Sequence, residues 1–139
     1  MEEGSTATFE LRLDGRSGVP PYLQLVHQVK QGLQLGYLQP GDRLPTVKEV
    51  VTRLAINPNT VVKAYRQLEH EGLVVPRPGQ GTFIDRRLTA VAPGAHAALR
   101  RSLERWLRGA YAAGLDDEAV SALVSTTQHQ LHAESEGIA

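Results

Sequence analysis

The chain has 139 residues, of which 15 are basic, 15 are acidic and none is cysteine. This length suits one or two small domains, and the lack of cysteine excludes disulfide bonds and thiolate zinc sites. No stretch approaches the roughly 20 apolar residues of a membrane span, and the polar N-terminus is unlike a signal peptide, so we expect a cytoplasmic protein without a membrane partner.

The first predicted elements are a short strand and a supporting helix. Residues 9–13 alternate apolar and polar side chains as a strand does, and the glycines and prolines of residues 15–21 end the alternation. A helix is predicted to begin at Pro20 and Pro21 and to close at the turn of residues 39–42. Its apolar face comprises Tyr22, Leu25, Val26, Val29, Leu33 and Tyr37.

A short second helix is predicted to begin after Thr46. Thr46 is a favoured N-cap residue, and Glu49, three residues later, completes a capping box. Lys48 and Arg53 are expected to point outward. The break at residues 55–57 has the length of a helix-turn-helix turn, although it lacks the usual glycine. The predicted apolar face comprises Val47, Val50, Val51 and Leu54.

The third helix is predicted to open on an N-cap at Asn57 and a proline at its first position, Pro58. Asn59, Thr60 and Lys63 then project from its tip, which is the part of a recognition helix that usually meets base edges in a major groove. Gly72 is predicted to end the helix. Its buried face comprises Val61, Ala64, Tyr65 and Leu68.

A wing is predicted after this helix, with strands at residues 73–75 and 82–84 around a loop at 76–81. Gly79 and Gly81 allow positive backbone angles and a close approach to a surface. Arg77 and Gln80 can reach phosphates or a minor-groove edge. An ordinary hairpin can carry the same glycines, so the interpretation of this hairpin as a wing depends on the two helices before it. The order of elements predicts an α+β, mainly helical fold with an N-terminal winged helix-turn-helix.

The charge of this region also favours DNA. Although the formal net charge of the chain is zero, residues 43–87 contain eight basic and four acidic residues. A local excess of positive charge predicts that one face of the domain meets the phosphates of double-stranded DNA.

Three motifs together resemble the GntR family of bacterial transcription regulators, most closely its YtrA subfamily. They are Arg-Leu-Pro-Thr at 43–46, Asn-Pro-Asn-Thr-Val at 57–61 with the helix that follows, and Gly-Gln-Gly-Thr-Phe-Ile at 79–84. The resemblance covers roughly residues 20–84. It implies three groups of DNA-binding residues. The DNA backbone is contacted by Arg43, Lys48 and Thr60. The recognition helix adds Asn57 and Asn59 near bases or phosphates and Lys63 along the groove, and the wing adds Gly79, Gln80 and Gly81.

Within this set, Asn59 is the predicted base reader, because its amide can both donate to and accept from one adenine edge. The other residues are expected to set position rather than sequence. Pro58 departs from the family pattern, since many members carry an arginine there that reads a guanine. Operator sequences of other subfamilies therefore do not carry over to this chain.

The C-terminal part is predicted to form a two-helix dimerisation hairpin. Residues 86–94 are interpreted as a linker between a winged domain at 1–85 and this tail at 95–139. Two amphipathic helices cannot hide both of their apolar stripes alone, so a second copy is expected to cover them. The alternative is that the hairpin folds back on its own winged domain. The predicted dimer interface is Leu99, Leu103, Trp106, Leu107, Ala110, Val120, Leu123, Val124 and Leu131.

The sequence offers no catalytic residues, no cofactor motif and no convincing metal site. His129 and His132 lie three residues apart, but no third ligand of clear identity is near them in the sequence. Arg100, Arg101, Arg105 and Arg108 fit a solvated helix face better than a ligand patch.

We therefore expect a dimeric, sequence-specific transcription regulator, a repressor, on a palindromic operator. The resemblance implies control of an operon that encodes an ABC-type transporter and that includes the regulator's own gene. A small-molecule effector would bind between the tail and the winged domains. The alternative is a winged-helix protein-interaction module without specific DNA binding. An orphaned domain of an aminotransferase-fused regulator is disfavoured, because the chain has no room for a pyridoxal phosphate domain.

Overall fold

The computed structural model describes residues 9–138 and shows a mainly helical fold with a small two-stranded sheet. The chain divides into two compact units between residues 95 and 96. The first unit holds three helices and the sheet, and the second holds two helices. In chain order the elements are α1 (Pro21–Gln34), α2 (Val47–Leu54), α3 (Pro58–His70), β1 (Val74–Arg77), β2 (Gly81–Ile84), α4 (Ala97–Ala112) and α5 (Asp117–Ile138).

The strand predicted at residues 9–13 is wrong, since these residues join no strand within the described part of the chain. Its backbone is instead held by two glutamine side chains of α1. Gln28 accepts from the Arg12 N–H at 2.9 Å and donates to the Arg12 carbonyl at 2.7 Å. Gln24 makes the same pair of bonds to Asp14, at 2.8 and 3.1 Å. The side chains of this segment still alternate between buried and exposed, since Leu11 is buried in the core and its neighbours Glu10 and Arg12 are exposed.

The core of the first unit lies where α1 and α3 pack against each other. Both helices present apolar residues at helical spacing, as the sequence predicts. Tyr37 is the exception, because α1 ends at Gln34 and leaves the Tyr37 side chain 52% exposed. The largest fully buried side chains are Leu25, Leu44, Leu68, Ile84, Val26, Val29 and Val61.

The two helices of the helix-turn-helix begin and end as their capping residues dictate. Thr46 and Glu49 form the predicted capping box, with the Glu49 N–H donating to the Thr46 hydroxyl and the Thr46 N–H donating to the Glu49 carboxylate. The Asn57 side chain caps α3. Between the helices, Ala55 takes the left-handed conformation with φ of 54°, at the place where the usual glycine is missing.

The wing is a tighter hairpin than predicted. β1 continues through Pro76 and Arg77 and pairs antiparallel with β2, so that only residues 78–80 form the loop. Pro76 fits in β1 because this strand is on the edge of the sheet, where a missing N–H is tolerated. On its other side, β2 meets residues 42–44: the Leu44 N–H donates to the Thr82 carbonyl and the Ile84 N–H to the Asp42 carbonyl, both at 2.8 Å.

Residues 86–94, interpreted from the sequence as a linker, belong to the first unit and contact its other residues. Leu88 packs against the core. The Gln39 side-chain amide donates to the carbonyl oxygens of Gly36, at 2.9 Å, and Val91, at 2.8 Å. Gly36 has φ of 81°, and a side chain there would collide with the backbone of residues 91 and 92. This segment therefore follows a defined path along the winged unit.

The second unit is a pair of helices joined at Gly114, which has φ of 99°. Asp116 caps α5, since its carboxylate accepts from the Ala119 N–H at 2.8 Å. Val120 is the one buried hydrophobic residue described in this unit, whereas large apolar side chains elsewhere on both helices are exposed. Neither α5 nor any other helix in the described part is long and apolar enough to cross a membrane.

Candidate nucleic-acid interface

The tip of α3 gathers four of the predicted DNA-binding residues. Asn57, Asn59, Thr60 and Lys63 line one shallow concavity together with Pro21 and Tyr22 from the start of α1. Asn57, Asn59 and Lys63 are exposed and Thr60 is half-buried. The helix start fixes this grouping, because Pro58 sits in the first turn and the Asn57 cap orients the turn. The concavity therefore presents polar side chains on a rigid helix end.

The two asparagines of the tip have different roles in the structure. The side-chain oxygen of Asn57 accepts from the Asn59 N–H at 2.8 Å and so is engaged in capping. Asn59 contributes only its backbone to that bond. No other described residue hydrogen-bonds to its exposed amide, which keeps both a donor and an acceptor, as base recognition requires.

Tyr22 is a residue of this surface that the sequence interpretation assigned to packing. Its half-buried side chain does pack against the core, but the Lys63 ammonium also lies over its ring, 4.0 Å from the centroid. The two residues are 41 positions apart, so spacing alone could not bring them together. The only signal in the sequence was an aromatic residue in the first turn of the first predicted helix.

The entry to α2 forms a second group of predicted residues. The Arg43 guanidinium lies 3.5 Å from the Glu49 carboxylate, whose other contacts complete the capping box. Hydrogen bonds from Thr46 lower the pKa of Glu49, so this carboxylate is charged near neutral pH. Lys48 is exposed on the same turn.

The wing forms a third group. The Gln80 N–H donates to the Arg77 carbonyl at 2.9 Å, and Gly79 has φ of 76°, which is the glycine position that a type II turn requires after a proline. The Arg77 guanidinium lies over the Phe83 ring, 4.7 Å from its centroid. Gly81 lies beside Arg43: a Cβ on Gly81 would be 3.6 Å from the Arg43 side chain. The structure thus joins the wing to the entry of α2.

Ion pairing separates the basic residues of the winged unit into two kinds. Arg53 is bound to Glu10 at 2.6 Å, and Arg87 to Asp85 at 2.7 Å. Among the described residues, no carboxylate pairs with Lys48, Lys63 or Arg77. These three cations keep their full charge for an anionic partner.

Five of the nine predicted dimer residues line a groove in the second unit. Leu103, Trp106, Leu123, Val124 and Leu131 line it together with Thr127 and Gln128. Leu99 is 72% exposed, Leu107 and Ala110 are half-buried, and Val120 is buried. No group of three or more metal-ligating side chains occurs in residues 9–138, His129 and His132 included.

Comparison with known proteins agrees with this geometry. The family described as bacterial regulatory proteins, gntR family, matches residues 21–84. The HTH-type transcriptional repressor YtrA of Bacillus subtilis (strain 168) is 37% identical over 109 residues, which are 78% of this chain and 84% of that protein.

Two solved structures share the fold. One is a transcriptional antiterminator from Listeria monocytogenes EGD-e, with a TM-score of 0.55 and 28% identity over 86% of this chain and 90% of that one. The other is YtrA from Sulfolobus acidocaldarius, described as a GntR-family transcription factor, with a TM-score of 0.51 and 31% identity over 70% of this chain and 97% of that one.

Proposed function

The chain belongs to the gntR family of bacterial regulatory proteins, and on this basis we propose that it is a repressor that binds a specific palindromic operator as a dimer. The family consists of DNA-binding transcription regulators rather than enzymes, and the first unit is its winged helix-turn-helix. Such a regulator acts on the chromosome, so we place it in the cytoplasm.

The observation that carries the proposal is the arrangement at the tip of α3. Asn59 exposes an amide with both a donor and an acceptor, and Lys63 lies one turn further along the same helix face. The Asn59 amide pairs with a base edge, and the Lys63 ammonium pairs with a phosphate. Arg43, Lys48 and Thr60 would fix the position of the unit on the DNA backbone. The wing would also fix this position, through Arg77, Gly79, Gln80 and Gly81.

Dimer formation is proposed from the groove of the second unit. Trp106 is 40% exposed, Leu103 51% and Leu131 56%, and all three line the same groove. Burying such apolar surface against a second copy is favourable by the hydrophobic effect. A twofold dimer presents two recognition helices to half-sites about one helical turn, roughly 34 Å, apart.

The relative from Bacillus subtilis is named a repressor, which supports repression by occupancy of promoter DNA. We further propose that the regulated operon encodes an ABC-type transporter and contains the regulator's own gene. We also propose that a small-molecule effector changes the spacing of the two recognition helices in the dimer.

The test is a paired variant at the tip. Duplexes are first selected from a random pool by the wild-type protein, and binding of the selected duplex is then measured for Asn59→Ala/Lys63→Ala. We expect this variant to lose specific binding and to keep the wild-type sedimentation coefficient. Arg108→Ala, which removes an exposed cation from the second unit, is the control and should bind as the wild type does.

Three results would contradict the proposal. If no sequence is enriched from the pool, or if the tip variant binds the selected duplex as tightly as the wild type, the chain is better described as a protein-interaction module. Sedimentation of the wild-type protein as a monomer at micromolar concentration would overturn the dimer.

A further inference from the structure

We propose that Tyr22 and Phe83 are positioning residues for DNA binding, each of which holds one cation, Lys63 or Arg77, over its aromatic ring and ready for a phosphate. This inference rests on the proposed DNA-binding function and goes beyond it. It assigns a role in binding to two side chains that are themselves partly buried and need not touch DNA.

The first contact joins α1 to the tip of α3. The Lys63 ammonium lies 4.0 Å from the centroid of the Tyr22 ring, well within the range of about 6 Å in which such a cation is attracted by the ring. The ring itself is fixed, because Tyr22 sits in the first turn of α1 and packs against the core. A lysine on a free surface samples many rotamers. Here the ring restricts that sampling before DNA arrives.

The second contact is built by the register of the wing. Val75 is opposite Phe83, and Arg77 is opposite Gly81, so Arg77 and Phe83 are diagonal neighbours on one face of the hairpin. Gly81 places no side chain of its own opposite Arg77, and the Arg43 side chain lies 3.6 Å from where a Cβ on Gly81 would be. The guanidinium can therefore lie over the Phe83 ring, at 4.7 Å from its centroid. The glycine and the aromatic residue of the wing motif together define the position of the arginine.

Aromatic partners leave a cation available in a way that carboxylate partners do not. Arg53 and Arg87 are neutralised by Glu10 and Asp85. A ring carries no net charge and does not accept the strong hydrogen bonds of a carboxylate, so an ammonium or guanidinium above it retains its charge and most of its N–H donors. The two cations at the tip and the wing are thus ordered without being neutralised. A phosphate is the partner that such a cation suits.

The test uses a duplex selected by the wild-type protein and a double-mutant cycle. Tyr22→Leu keeps an apolar side chain but removes the ring, and we expect it to weaken binding about two- to fivefold, as the energy of an exposed cation–ring contact implies. Tyr22→Phe keeps the ring and should bind within about twofold of the wild type. In the Lys63→Ala background, Tyr22→Leu should have no further effect.

Phe83→Leu with Arg77→Ala forms the corresponding cycle for the wing. A second readout needs no DNA: the Lys63 side-chain methylene protons should show an upfield ring-current shift in the NMR spectrum of the wild-type protein that Tyr22→Leu abolishes and Tyr22→Phe preserves. Thermal unfolding of each variant reports whether the fold is retained.

The outcomes separate this inference from the function on which it rests. If the wild type binds its selected duplex and folded Tyr22→Leu binds equally well, the positioning role is refuted and the regulator function stands. An equal loss of affinity with and without Lys63 would show that Tyr22 acts only through packing, which also overturns the inference. If the wild-type protein selects no sequence, both proposals fail.

Discussion

The phenol of Tyr65 donates a hydrogen bond to the carbonyl oxygen of Pro45 at 2.6 Å. Tyr65 lies on the buried face of α3, and Pro45 immediately precedes the N-cap of α2. Burial raises the pKa of the Tyr65 phenol far above its usual value, so it remains a donor throughout the accessible pH range. One buried bond therefore ties the recognition helix to the entry of the other helix of the motif.

Tyr65→Phe removes this bond and leaves the Pro45 carbonyl without its partner. We expect the free energy of unfolding to fall by about 1 kcal/mol, the usual net worth of such a bond. Urea unfolding followed by circular dichroism measures the change. Tyr37→Phe is the control, because the Tyr37 side chain is 52% exposed. Equal losses in the two variants would show that the Tyr65–Pro45 bond contributes nothing specific.

Thr46→Ala abolishes one half of the capping box at the start of α2. The Glu49 N–H then loses its acceptor, and we expect a destabilisation of about 1 kcal/mol. Thr46→Ser keeps the hydroxyl and should lie within about 0.5 kcal/mol of the wild type. We expect the urea midpoint to be highest for the wild type, lower for Thr46→Ser and lowest for Thr46→Ala. An alanine variant as stable as the serine variant would refute the role of the cap.

Ala55→Gly should stabilise the winged unit. Ala55 adopts φ of 54°, a left-handed conformation that costs a residue with a Cβ roughly 1–2 kcal/mol. Glycine removes that cost but increases the entropy of the unfolded chain, so we expect a net gain of about 0.5 kcal/mol. The measurement is the urea midpoint. A fall in the midpoint would mean that the alanine methyl group stabilises the turn by more than the strain costs.

The pair Asp85–Arg87 should make stability depend on pH in the acid range. Hydrogen bonds from Arg87 lower the pKa of Asp85 to about 2, from an unfolded value of 3.8. The folded state therefore favours the carboxylate, and the stabilisation is present above about pH 4 and is lost as the pH falls through 2. Asp85→Asn should flatten the dependence of the melting temperature on pH between these values.

The control for this measurement is Glu69→Gln, which removes an exposed carboxylate from α3. The glutamine variant should follow the wild-type curve. If Asp85→Asn also retains the full wild-type dependence on pH, the acid sensitivity arises from other carboxylates.

Local signals in the sequence predicted the parts of the fold that depend on near neighbours. The capping box of Thr46 and Glu49, the Asn57 cap and the apolar faces of α1 and α3 all follow from residues a few positions apart. The structure confirms them, apart from Tyr37. The winged fold and the family are confirmed as well.

What the sequence could not predict depends on the partner of each residue. The alternation at residues 9–13 fits a strand, but Gln24 and Gln28 satisfy the backbone of this segment in place of a neighbouring strand. Pro76 suggested that the first strand of the wing ends before it. An edge strand tolerates a proline, but the sequence does not show that β1 is an edge strand. The contact of Tyr22 with Lys63 likewise requires knowledge of how α1 lies against α3.

Sequence-specific DNA binding is tested most directly by titrating the purified protein against the region upstream of its own gene and against a scrambled duplex of equal length, at two salt concentrations. We expect the upstream region to bind about a thousandfold or more tightly than the scrambled duplex and the preference to persist at the higher salt, because base contacts do not depend on counterion release. Equal affinities that collapse together at the higher salt would contradict specific recognition and leave only attraction to phosphates.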